Sequence, residues 1–262
     1  MRRLLLGFLA ALLVAPVAAQ TAEERVRLDQ IAERGRLLFE LDRAAWIATD
    51  DFLARMPDAA QQGIGGYVVE PSGDGFAVTF YVEEADRLVG VYTGTVADGE
   101  LVSGELLSQE ARPLLTGPQA RLAGARSVPS RLDFRSCTGP FNVTTVPPTS
   151  AAAPLEVYLL SPQAAAAEYP MGGHFLVTLS PEGEVVSSRK FTNSCLNISV
   201  SREPVGLFVT HLLDPIPTEM HVFASLALEK PIYVATREAN RVWKVSGSEI
   251  SLLDSAPNAA GR

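Results

Sequence analysis

The sequence contains few of the residues on which protein chemistry most often depends. Of its 262 residues only three are histidine and two are cysteine, and 22 Lys and Arg are outnumbered by 30 Asp and Glu. An acidic chain without a basic cluster repels phosphate backbones, which argues against nucleic acid and anionic membrane surfaces as partners. The chain also lacks a Gly-x-Ser-x-Gly nucleophile motif and a phosphate-cradling glycine loop.

The first 19 residues have the pattern of a secretory signal peptide. A basic start at Met1–Arg3 is followed by an apolar run, Leu4–Val14, and then by small residues up to Ala19. This pattern predicts an exported protein, periplasmic or secreted, whose mature chain starts near Gln20. The alternative, an uncleaved anchor helix, would need a longer apolar run, and no later stretch is long and apolar enough to cross a membrane.

The two cysteines, Cys137 and Cys195, are predicted to form a disulfide. In an oxidising compartment an even cysteine count indicates pairing. A two-cysteine metal site is the alternative, but neither cysteine has a second Cys or a His nearby at ligand spacing. Closing a loop of this length would stabilise the fold by about 4 kcal/mol.

The N-terminal half predicts an α+β arrangement of helices and an antiparallel sheet. Thr21 and Glu24 have the spacing of a capping box, and apolar residues then recur at helical intervals. A second helix is predicted from Asp42 to Met56. Between Tyr67 and Leu107 four β-rich runs alternate with short Gly and Asp turns, which predicts a meander. A further helix near Gln119–Ala125 would cover the sheet or lead into a linker.

The second half predicts a mixed α/β domain. A buried strand, Leu155–Leu160, precedes a short alanine-rich helix from Ser161 to Glu168, and a hairpin follows between Phe175 and Phe191. The predicted segments are a signal peptide (1–19), an N-terminal α+β domain (20–126), a C-terminal domain (127–254) and a flexible tail (255–262).

Residues 206–236 contain more groups capable of chemistry than any other stretch. They predict a buried strand ending in His211, a proline-rich loop, a short helix and a second buried strand. Thr218 and Glu219, where the helix starts, are the candidate catalytic groups. Asp214 and Thr218 are also good helix caps, and capping alone would explain the loop.

The three histidines are the candidate metal ligands. His174 precedes the hairpin strand, while His211 and His221 flank the proline-rich loop. A catalytic zinc needs three protein ligands and an open position for water, so these side chains together would satisfy the minimum. The alternative is that each histidine is an ordinary polar residue at a strand end or a helix start.

The order of elements from Phe175 to Thr236 resembles the JAB/MPN (JAMM) metalloprotease-like fold. In that family His-x-His ends a buried strand, and Ser-x-x-Asp opens a helix after a proline-bearing loop. His211 falls at the first His and Pro217–His221 falls at Pro-Ser-x-x-Asp, but Leu213 stands at the second His. The resemblance implies a C-terminal domain of JAB/MPN-like layout with a degenerate hydrolytic site.

Three functions are consistent with these patterns. The missing second His and a Glu base that cannot be placed predict a non-catalytic binding or scaffolding module, whose partner is a protein or peptide of the cell envelope. The alternative is a zinc-dependent amide or isopeptide hydrolase, in which His174, His211 and His221 hold zinc and Thr218 or Glu219 orients the attacking water. The third is an envelope-associated structural protein that binds through its N-terminal domain.

Overall fold

The computed structural model describes residues 20–200, 205–237 and 241–253. The predicted signal peptide and the tail after residue 254 lie outside them. The helices are α1 (Ala22–Arg55), α2 (Gly117–Ala125), α3 (Val128–Arg131) and α4 (Glu219–Leu228). The strands are β1 (Ile64–Ser72), β2 (Gly75–Glu84), β3 (Arg87–Ala97), β4 (Glu100–Leu106), β5 (Asn142–Val146), β6 (Leu155–Leu160), β7 (Glu168–Pro170), β8 (Phe175–Leu179), β9 (Val185–Lys190), β10 (Asn197–Ser199), β11 (Leu207–His211), β12 (Ile232–Thr236), β13 (Val242–Ser246) and β14 (Glu249–Leu253).

One continuous helix, α1, occupies the region where two helices were predicted. Thr21 caps it, because its Oγ1 accepts the N–H of Glu24 at 3.1 Å. The prediction of a separate helix from Asp42 is wrong. No Gly or Pro interrupts the chain between residues 36 and 55, and one stripe of buried residues continues from Leu28 to Phe52.

The start of α1 is joined to the far end of the chain by an ion pair. The carboxylate of Glu24 does not complete the expected capping box. It accepts instead from the guanidinium of Arg241, with an Nη2–Oε2 distance of 2.8 Å. Arg241 also stacks on the ring of Trp243 in β13, 4.4 Å from its centroid. Sequence-distant segments are therefore held together at this point.

The predicted antiparallel meander is present as a sheet in the order β1-β2-β3-β4. The second half of α1 packs on this sheet, and Phe52 stacks on Phe80 with ring centroids 4.3 Å apart. Phe52 also meets Tyr92 edge to face at 5.4 Å. Helices packed against a separate antiparallel sheet give the predicted α+β class.

The C-terminal half contains two further four-stranded sheets. One is antiparallel, in the order β5-β6-β8-β9, and it contains the predicted hairpin. The other has the order β11-β12-β13-β14, in which β11 and β12 run parallel and are connected through α4. The predicted sequence of strand, loop, helix and strand is therefore confirmed. Strands β7 and β10 form a small separate pair.

The prediction of an alanine-rich helix from Ser161 to Glu168 is wrong. The segment is irregular and then becomes β7, which pairs with β10. The Oγ of Ser161 accepts the N–H of Cys137 at 3.0 Å and donates to the carbonyl of Gly173 at 2.9 Å. These tertiary bonds fix the chain where the local preference of alanine favours a helix.

The closest helix packing joins α1 to α4. A Cβ built on Gly35 would lie 2.5 Å from the Cβ of Val222, so the two backbones approach too closely for a larger side chain. Hydrophobic clusters also combine residues from both sides of the expected boundary near residue 127. One of them joins Val68 in β1 to Val143 in β5 and Leu155 in β6. The division into two domains stays a prediction.

The predicted disulfide between Cys137 and Cys195 is present, with Cα atoms 5.4 Å apart. It packs against Gly173, whose φ of +75° and whose contact with the Cys137 sulfur leave no room for a Cβ. A structural disulfide indicates an oxidising, non-cytoplasmic compartment. None of the described helices is long and apolar enough to span a membrane.

Candidate functional site

The loop between β11 and α4 forms one wall of a groove with a volume of about 240 Å³. The first part of α1 and strands β6, β8 and β9 contribute the rest of the lining. We call this feature the polar groove, since charged and hydroxyl-bearing side chains line most of it. They are Arg27, Arg34, Glu156, Tyr158, Arg189, Asp214, Thr218 and Glu219.

Asp214 is the most heavily bonded carboxylate of the groove. Its Oδ2 accepts from Nε2 of His211 at 2.8 Å and from Nη2 of Arg189 at 2.9 Å. The hydrogen bond from His211 and the nearby Arg189 guanidinium lower the pKa of Asp214 below its ordinary value. The carboxylate is therefore ionised at neutral pH and is a poor proton donor.

Glu219 lies in the first turn of α4 and faces β6. Its Oε1 accepts a hydrogen bond from the hydroxyl of Tyr158 at 3.1 Å. Burial and the neighbouring Glu219 carboxylate raise the pKa of Tyr158 far above its ordinary value, so the phenol keeps its proton. Arg34 of α1 pairs with Glu156 beside them at 2.8 Å. The groove thus presents both donors and acceptors.

Thr218 and His221 are occupied by the start of α4. Thr218 is the residue that caps the helix, and its backbone N–H donates to Nδ1 of His221 at 3.0 Å. A neutral imidazole has one lone pair, so this bond places the ring proton on Nε2. Burial, with a smaller contribution from His211, lowers the pKa of His221 to about 3. His221 is therefore neutral at pH 7.

His174 is enclosed between backbone groups. Its Nδ1 accepts the N–H of Ser161 at 3.2 Å, and its Nε2 donates to the carbonyl of Pro170 at 2.9 Å. Burial lowers the pKa of His174, which agrees with a neutral ring. Both ring nitrogens are used in holding the turn before β8.

Two of the three histidines already use their lone pairs in hydrogen bonds. His211 and His221 meet edge to face with ring centroids 4.9 Å apart, but the lone pairs of His174 and His221 both accept backbone N–H groups. Within residues 20–200, 205–237 and 241–253, no three His, Cys, Asp or Glu side chains are placed to share a metal ion. The structure gives the predicted zinc site no support, and the assignment stays a prediction.

Several residues of the groove were not among the predicted site residues. Arg27 and Arg34 come from α1, Glu156 and Tyr158 from β6, and Arg189 from β9. Each lies at an ordinary position of a helix or strand and belongs to no motif. No local signal in the sequence would have identified them, because only the packing of α1 against the second half of the chain brings them to Thr218 and Glu219.

The protonation states of two groove side chains and of the neighbouring His221 follow from their surroundings. Asp214 is held ionised and Tyr158 is held protonated, while His221 is held neutral. General acid–base catalysis requires a group whose pKa lies near the working pH. These three groups are therefore held away from that condition at neutral pH.

Comparisons of the chain with protein-family models, with curated proteins and with solved structures found no match.

Proposed function

We propose that this is an exported, non-catalytic binding module that holds a peptide segment of an envelope protein in the polar groove. One observation carries the proposal: the lone pairs of His174 and His221, two of the three candidate metal ligands, accept backbone N–H groups. These histidines stabilise a turn and a helix start. They are therefore not available as the zinc ligands that a metallohydrolase requires.

The neighbouring strand supports a peptide as the ligand. β9 is the last strand of its sheet, all six of its residues are exposed, and among the described residues no strand pairs with its outer edge. An exposed edge offers backbone N–H and C=O groups to an extended peptide. Arg189 projects from β9 to Asp214, so a peptide along this edge would reach the charges of the groove.

The compartment and the family resemblance belong to the same proposal. The disulfide agrees with export, and the pattern of residues 1–19 favours the periplasm or secretion. In this account the C-terminal half is a degenerate relative of the JAB/MPN fold that has kept the strand–loop–helix arrangement without the hydrolytic site. The zinc hydrolase alternative would require His174 and His221 each to give up the backbone N–H that its lone pair accepts.

Peptide binding is tested by selecting ligands from a random peptide library and measuring their affinity for two charge-reversal variants. Arg189→Glu should weaken binding about tenfold or more, because it removes a charge-assisted donor and repels Asp214. Lys190→Glu makes the same charge change at the next position of β9, whose side chain points to the other face, and should change affinity less than about threefold.

The selected peptides should also remain intact during prolonged incubation with the protein. Equal weakening by the two variants would contradict binding in the groove. Cleavage of a bound peptide would contradict the non-catalytic role.

A further inference from the structure

A second and larger cleft is lined by a later part of α1 than the polar groove and shares no lining residue with it. Its volume is about 670 Å³, within the range typical of small-molecule sites. We call it the aromatic cleft. Its lining includes the side chains Phe39, Asp42, Trp46, Tyr67, Tyr169 and Phe223.

Three of these side chains come from one face of α1. Phe39, Asp42 and Trp46 follow one another at intervals of three and four residues, so they project in the same direction. Trp46 is 61% exposed, whereas the only other tryptophan, Trp243, is completely buried. Trp46 therefore leaves much of its ring accessible to a ligand in the cleft, and aromatic side chains commonly line small-molecule sites.

Asp42 is the only carboxylate in the lining of the cleft, and its charge is poorly compensated. Its Oδ1 accepts one long hydrogen bond from Oγ1 of Thr144, at 3.5 Å. Among the described residues it forms no ion pair. Arg43 also lines the cleft, but its guanidinium donates to the carbonyl of Gly99 at the turn between β3 and β4. The carboxylate therefore lacks a cation.

Burial raises the pKa of Asp42 to about 6. At neutral pH the group is ionised in an environment that disfavours the charge, and a cation beside it would offset that cost. Aromatic faces attract the same ligands, since a cation over a ring interacts favourably with its quadrupole.

We propose that the aromatic cleft binds a small organic cation, with its ammonium group against Asp42 and its apolar body between Trp46 and Phe223. The carboxylate supplies the counter-charge and the rings supply the apolar contact. This site is separate from the polar groove, and its existence does not depend on the peptide-binding role.

The test uses three probes that share a phenylethyl group and differ in the charge of the group attached to it. They are phenethylamine, which carries an ammonium group, neutral 2-phenylethanol and the anion hydrocinnamate. Binding to the mature protein is followed by calorimetry and by tryptophan fluorescence, to which exposed Trp46 responds. We expect saturable binding of the amine, at least about tenfold tighter than that of the alcohol, and no binding of the anion.

The Asp42→Asn variant should weaken amine binding about tenfold and leave the affinity for the alcohol unchanged. Asp50→Asn, which removes an exposed carboxylate from the same helix, is the matched control and should leave both affinities unchanged. The Trp46→Phe variant should lose the fluorescence response while calorimetry still detects binding.

The proposal is overturned if the wild-type protein binds the amine no more tightly than the alcohol, or shows no saturable binding of it. It is equally overturned if Asp42→Asn binds the amine with wild-type affinity. Circular dichroism confirms that each variant is folded before its affinity is compared.

Discussion

Acidification from pH 6 to pH 4 is expected to lower the free energy of unfolding, with His221 alone contributing about 1.4 kcal/mol per pH unit. Burial lowers the pKa of His221 from the ordinary 6.5 to about 3. Between these two values the unfolded chain binds a proton that the folded chain excludes, so stability falls as the pH falls. His174, whose pKa burial also lowers, acts in the same direction.

Urea denaturation at pH 6, 5 and 4 measures this effect in the wild type and in His221→Asn. The asparagine side chain can still accept the N–H of Thr218, but it does not titrate. The variant should therefore lose less stability per pH unit than the wild type, by about 1.4 kcal/mol. Identical slopes in the two proteins would contradict a buried neutral His221.

Asp42 is expected to change the pH dependence of stability in the opposite direction to His221, and so provides an internal control. Burial raises its pKa from 3.8 to about 6, so between these values the folded chain binds a proton that the unfolded chain releases. Protonation of Asp42 thus adds stability as the pH falls from 6 towards 4. Removing it in Asp42→Asn should steepen the overall loss of stability on acidification, whereas His221→Asn makes that loss shallower.

Replacing both cysteines with serine is expected to lower the free energy of unfolding by about 4 kcal/mol at neutral pH. Cys137 and Cys195 are 58 residues apart, and a closed loop of that length removes about this much conformational freedom from the unfolded chain. The change also loosens the turn at Gly173, next to His174 and to the β7–β10 pair.

The comparison uses urea denaturation of the wild type and of the Cys137→Ser, Cys195→Ser double variant, each with and without dithiothreitol. The wild type under reducing conditions should fall to the stability of the double variant, and the double variant should not respond to the reductant. A difference below about 1 kcal/mol between the oxidised wild type and the variant would contradict a structural disulfide.

Those parts of the fold that depend on local patterns could be predicted from the sequence. The meander follows from β-rich runs separated by turns such as Asp98-Gly99, where both residues have positive φ. The disulfide follows from the cysteine count and the expected compartment. The strand, loop, helix and strand around α4 follow from apolar runs and from Thr218 as the capping residue.

Those parts that depend on distant contacts could not be predicted. Asp42 has the character of a helix cap, yet it lies inside α1 beside Thr144, more than a hundred residues away. Ser161 begins a run that favours a helix, but its hydroxyl is bonded to Cys137 and Gly173. At such positions tertiary contacts override the local preference for a helix or for a helix end.

Only some residues of the candidate site could likewise be predicted from the sequence. Asp214, Thr218 and Glu219 could be selected because they lie together in one loop with helix-capping chemistry. The arginines of α1 and the tyrosine of β6 reach the groove only through packing. The roles of the histidines also depended on tertiary structure, because the partners of His174 are backbone groups that the sequence cannot place beside it.

The most direct test of the central claim, that the histidines serve the fold and not a metal, is elemental analysis of the protein expressed as residues 20–262. It should be purified without chelator, beside its His211→Ala variant. We expect no stoichiometric zinc in either protein, because His174 and His221 have no free lone pair to offer. About one zinc per chain in the wild type, lost in the variant, would contradict the account and favour the hydrolase.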